Sequence, residues 1–153
     1  MKLLMFLFVG IIQVGIVHAQ QVTVVPDPTI TPGAIRTTDI GVICSSGTRE
    51  LRHWSRERDD KILSEYGLPT GPHPTLEIDH LIPLGLGGAD DDRNLWPEPR
   101  RPIESVWNAE RKDDLEWKLR ELVCSGALDV QVAQKAIQED WTSAYELYVR
   151  KTR

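Results

Sequence analysis

Apolar and polar positions alternate with different periods along this chain, and the changes of period mark its elements. Leu3 to Val17 is almost wholly apolar, broken only by Gln13 and glycines. Residues 20–36 hold Pro26, Pro28, Pro32 and Gly33 among Thr and Val, which predicts an extended, partly mobile N-terminal leader. Thr37 to Gly47 reads as a short turn-rich segment around Cys44. Ile62, Leu63 and Tyr66 then fall at helical spacing, with Ser55 as N-cap and Gly67 as the stop. Residues 69–74 carry three prolines and a glycine and form a loop. Thr75 to His80 is a short strand, made irregular beyond Leu81 by Pro83. Gly85, Gly87 and Gly88 predict a flexible loop, and Asp90-Asp91-Asp92 a solvated turn. Asn94-Leu95-Trp96 is a second strand, closed by Pro97 and Pro99.

The rest of the pattern is helical. Pro102 opens a long helix whose apolar face is Ile103, Val106, Trp107, Leu115, Leu119, Leu122 and Val123, ended by Gly126. Asp129 caps a following helix with Val132, Ala133, Ala136 and Ile137. A last amphipathic stretch holds Trp141, Ala144, Tyr145 and Tyr148. Trp96, Trp107, Trp117 and Trp141 read as core. The expectation is one α+β domain, mainly helical, around two short strands.

Composition changes this picture at the N-terminus. Lys2, the apolar run and the small residues of Val17-His18-Ala19 form the pattern of a secretory signal peptide, residues 1–19. A membrane anchor is the alternative, but the run is short for a span of about 20 residues. Export makes the protein secreted or periplasmic, with no stable membrane association after cleavage. Cleavage removes Lys2 and no acid, so the net charge of −5 becomes −6. Affinity for phosphates comes largely from Lys and Arg, so this balance counts against a nucleic-acid ligand unless the basic residues cluster. The two cysteines, Cys44 and Cys124, allow one intramolecular disulfide in an oxidising compartment. The alternative is two buried thiols.

Candidate chemistry concentrates in Glu77-Ile78-Asp79-His80-Leu81-Ile82-Pro83, Gly87-Gly88 and Asn94-Leu95. A carboxylate can hold a hard divalent cation, and a neutral imidazole can take a proton from water. Neighbours on an ideal strand point to opposite faces, so both serve one site only if the strand bends or ends there. Asp79-His80, Pro83, Gly87-Gly88 and Asn94-Leu95, with a helix after them, resemble the HNH endonuclease family over about residues 75–115. That resemblance implies a ββα-metal finger within a domain spanning residues 37–153. It implies His80 as general base, Asp79 as metal ligand, and Asn94 as the residue that holds the connecting loop and helps orient His80. No histidine follows His80, so the helix ligand falls to Asn108, as in the His-Asn-Asn branch of the family, with Asp113 and Glu110 as substitutes. An all-oxygen set suits one Mg²⁺ or Mn²⁺ better than Zn²⁺. The absence of a cysteine pair beside the unit argues against a structural zinc.

The activity so implied is endonucleolytic hydrolysis of phosphodiesters in nucleic acid, with DNA expected ahead of RNA. Arg93, Arg100, Arg101, Arg111 and Lys112 flank the motif and are candidate phosphate contacts. From Arg93 to Lys112 five basic residues face three acids, so a net-acidic protein can carry a locally basic groove. The same arginines also fit a solvated face. A phosphate role for His53 among Arg52, Trp54 and Arg56 is a weaker option, and His73 reads as a loop residue. The competing reading is a non-catalytic binding or interaction domain that keeps the fold. A third is a secreted hydrolase of another phosphodiester or polymer.

Overall fold

The computed structural model describes residues 22–45, 47, 51–102 and 106–150. The expected signal peptide lies outside them, as does Ile103. Among the described residues no helix is long and apolar enough to cross a membrane.

Two antiparallel strands, β1 (Leu76–His80) and β2 (Leu95–Pro99), pair with Leu76 opposite Pro99, Asp79 opposite Trp96 and His80 opposite Leu95. Pro97 therefore lies inside β2, and Pro99 is its last residue. A two-stranded sheet leaves one edge of each strand unpaired, so a residue without an N–H is tolerated there. Among the described residues the α-helices are α1 (Ile40–Ser45), α2 (Arg56–Glu65), which packs on β2, α3 (Ala109–Cys124) and α4 (Val130–Tyr145). Ser55 caps α2 by accepting from the Arg58 amide, and Asp129 caps α4 at the Gln131 and Val132 amides, both as the sequence predicts. Within α4 the backbone breaks at Asp140, whose carboxylate accepts from the Thr142 and Ser143 amides and starts the last stretch afresh. A wider turn, Glu146–Arg150, ends the described chain.

Apolar side chains at spacings of three and four carry the core. Leu115, Leu119 and Val123 of α3 meet Ala133, Ile137, Trp141 and Tyr145 of α4, and both sets close over Leu81, Ile82, Leu86 and Trp96. Trp107 packs edge-on against Trp141 and Tyr145, with ring centroids 5.4 and 5.7 Å apart. Cys44 and Cys124 are joined as expected, tying α1 to the end of α3.

Four local expectations are corrected. The segment around Cys44 is a helix, not only turns. The third helix starts at Ala109, seven residues beyond Pro102, because Asn108 adopts extended backbone and caps it through the Arg111 amide; Val106 is left exposed. The leader is extended but docked. Thr31 is buried and donates to the Leu95 carbonyl, the Gly33 amide donates to the Arg93 carbonyl, and the Trp141 indole donates to the Val24 carbonyl. Gly87 and Gly88 serve close packing, not looseness. A Cβ at Gly88 would lie 1.9 Å from the Ile82 carbonyl oxygen, and one at Gly87, where φ is +87°, 2.2 Å from that of Thr37.

Candidate functional site

The Leu81 amide makes one more in-register bond, to the Asn94 carbonyl at 2.7 Å, and the pairing stops there because the Asn94 amide turns to the Asp91 carbonyl at 2.9 Å. The chain then bends into Pro83. This bend lets two sequential residues face one cleft. Asp79, His80 and Pro83 line an open cleft of about 610 Å³, walled on the other side by Asp113, Glu116, Trp117 and Arg120 of α3.

Asn94 is fully buried, and its side chain pins the loop. Its amide oxygen accepts from the Ile82 amide at 3.0 Å, and its nitrogen donates to the carbonyls of Ile82 and Ala89, each at 2.9 Å. It thus fixes the backbone two residues past His80 and does not touch the imidazole.

Asp90 holds the imidazole itself. His80 is buried, with Nε2 3.0 Å from Asp90 Oδ1. Opposite a carboxylate, Nε2 is the protonated nitrogen, which leaves Nδ1 with its lone pair, 3.9 Å from Asp79 Oδ1. Burial pushes the imidazole below its ordinary value of 6.5, and the Asp90 bond offsets this only in part, so His80 is neutral at pH 7. Asp90 also accepts from the His53 amide at 2.7 Å and from Arg58 at 2.8 Å. Burial would raise its pKa, but these bonds outweigh it and hold the carboxyl well below the ordinary range. The aspartate run is therefore more than a solvated turn. Asp90 anchors His80, Asp92 binds Arg58 and Lys61, and Asp91 pairs with Arg93.

Asp79 sits in a second polar cluster. Its carboxylate accepts from Lys112 Nζ at 3.2 Å and lies 3.4 Å from Arg52 Nη1. Burial opposes its charge, but Lys112 and Arg52 overcome this and hold Asp79 ionised. Lys112 is completely buried and also contacts Glu116 and, at 3.5 Å, the buried Glu98. Burial pushes Glu98 up to about 8 against the pull of Lys112, and its Oε1 has no hydrogen-bond partner.

The other candidates disperse. Asn108 spends its side-chain oxygen on the α3 cap, 3.3 Å from the Arg111 amide, and does not line the cleft; Asp113 and Glu116, further along the helix, do. Lys112 is buried beneath the surface, so it serves carboxylates and not phosphate. Arg111 donates to the Tyr145 hydroxyl and lies over its ring. Arg93 turns to Asp91. Arg100 lines an adjoining cleft and pairs with Glu77 at 3.4 Å, and Arg101 is exposed beyond β2. Among the described residues, the cations that line the Asp79–His80 cleft are Arg52 and Arg120, which proximity in sequence did not single out. Trp117 is not core: it is 69% exposed on the cleft wall.

As to a metal, the donors facing the cleft from Asp79, Asp113 and Glu116 are all oxygens, which fits a hard divalent cation. Among the described residues no three His, Cys, Asp or Glu side chains are gathered as a ready chelate. Comparison with family models, curated proteins and solved structures returns no match.

Proposed function

We propose that this protein is a secreted, metal-dependent endonuclease whose β1, β2 and α3 form an HNH-type ββα-metal finger. The observation that carries this reading is the neutral His80, buried and held at Nε2 by Asp90, in one cleft with the ionised Asp79. In it, His80 Nδ1 takes a proton from water, the water oxygen attacks phosphorus, and the bond from phosphorus to the 3′-oxygen breaks. The products are a 5′-phosphate and a 3′-hydroxyl. Asp79 would hold one Mg²⁺ or Mn²⁺, with Asp113 or Glu116 as the helix partner in place of Asn108. Such an ion supplies charge stabilisation at the phosphate and the departing oxygen. Arg52 is the phosphate contact nearest Asp79. DNA is proposed ahead of RNA. The disulfide is compatible with export.

Purified protein incubated with single-stranded DNA, plasmid DNA and RNA, with Mg²⁺, Mn²⁺ or EDTA, tests this. Metal-dependent cleavage is expected, reduced about 10²- to 10⁴-fold in His80→Ala, the range of a general base. Absence of metal-dependent cleavage would refute the reading.

One observation favours a non-catalytic binding domain instead. Lys112 already sets a cation among Asp79, Glu98 and Glu116. Calorimetric titration with Mn²⁺ separates the two, since binding that disappears in Asp79→Ala supports the nuclease.

A further inference from the structure

Burying a tryptophan removes a large apolar surface from water, so an exposed one forgoes a large stabilisation. Trp117 and Trp54, 69% and 68% exposed, are the two most exposed large apolar side chains among the described residues. Neither is at a random place. Trp117 stands on the wall of the Asp79–His80 cleft. Trp54 lines a second cleft of about 420 Å³ beside it, along β1. Arg52 lines both clefts, and its guanidinium is fixed where they meet, with Nη2 donating to the Ile78 carbonyl at 2.5 Å and Nη1 3.4 Å from Asp79.

Trp54 is also held. Its indole N–H donates to Asp59 on α2 at 2.8 Å, which fixes one edge of the ring and leaves the rest to solvent. The second cleft adds Arg56, Arg100 and His73. Its carboxylates are already engaged: Asp59 by Trp54, Asp60 by the Gly71 amide, and Glu77 by Arg100. The two clefts in sequence therefore offer an aromatic face, an arginine and a second aromatic face. A duplex keeps its bases stacked on each other and offers none to such faces, whereas unpaired bases stack readily on aromatic side chains.

On the nuclease reading above, we infer that the substrate is single-stranded nucleic acid, laid across both clefts with bases on Trp117 and Trp54 and a backbone phosphate at Arg52. Bases on either side of the cleaved bond are splayed onto separate platforms. Stacking on an aromatic ring tolerates any base, so cleavage has little sequence preference.

The test is fluorescence anisotropy with a labelled single-stranded oligonucleotide and its matched duplex, using the full chain carrying His80→Ala to silence cleavage. Trp54→Ala and Trp117→Ala are each expected to weaken single-strand binding about 5- to 100-fold, the range of one lost base–aromatic stack. Duplex binding should change less than twofold, and Trp54→Phe should restore most of the single-strand affinity. Both side chains are exposed, and circular dichroism with thermal melts confirms that each variant folds. If the parent protein cleaves nucleic acid but the tryptophan variants bind both forms as their parent does, the single-strand inference is overturned and the nuclease reading stands. If the parent neither binds nor cleaves any nucleic acid, both fall together.

Discussion

The state of His80 is set by the group on its Nε2 edge. Asp90 lies ten positions further along the chain and is itself held by the His53 amide and by Arg58. A carboxylate so placed fixes the tautomer and the ring plane, and stabilises the imidazolium formed on proton uptake. Asp90→Asn keeps the shape but accepts less well and can present its N–H₂ to Nε2, favouring the wrong tautomer. On the nuclease reading, its cleavage rate is expected to fall about 10²-fold or more in steady-state assays on single-stranded DNA. The rate should also climb with pH through a value below 6.5 and level off above it, because burial lowers the His80 pKa and only the neutral ring accepts a proton. Asn94 differs from Asp90 in kind, since all its bonds go to backbone and it shapes the loop without touching the ring.

Among elements, the connection between the strands is a rigid piece. The backbone from Ile82 to Gly88 folds back on itself so closely that Gly88 has no room for a Cβ beside the Ile82 carbonyl. Gly88→Ala is therefore expected to cost about 1–3 kcal/mol, read as a lower urea midpoint at unchanged slope. The start of α3 is equally particular. Asn108 ends the extended approach and caps the helix, which sets the phase of every later residue. With that phase Leu115, Leu119 and Val123 face the core, Lys112 is buried under Asp79, and Asp113, Glu116 and Trp117 look into the cleft.

Across the whole molecule, the disulfide closes a separation of 80 residues that contains both strands, α2 and α3. The chain-entropy model gives about 4–5 kcal/mol for such a loop. Replacing both cysteines by serine should lower the denaturation free energy by an amount of that order, and reductant should then have no further effect. Charge sets a pH window as well. Asp90 has a folded pKa below its ordinary 3.8, so its contribution is complete above that value and is lost as pH falls below it. Glu98 has a folded pKa raised to about 8, so its contribution is present below 4.5 and is lost as pH rises through about 8. Melting temperature against pH is expected to decline on both sides. Glu98→Gln should flatten the decline between about pH 4.5 and 8 and leave the acid one.

Local spacing by itself determined much of this protein. The caps at Ser55 and Asp129, the two strands, the core positions Leu115, Leu119 and Val123 of α3 and Ala133 and Ile137 of α4, and the pairing of Cys44 with Cys124 were legible, because each depends on neighbours in the chain or on a count that allows one answer; Val132, expected beside Ala133, is exposed. The dipeptide Asp79-His80 was legible as candidate chemistry for the same reason. Tertiary structure alone decided which distant groups meet it. Asp90 looked like one acid of a solvated run, Lys112 like a surface cation, Trp117 like core and Arg52 like one arginine among several. Their roles depend on how a loop returns to the end of β1 and on the rotational phase of α3. Both are set by packing between elements, and no local period records them.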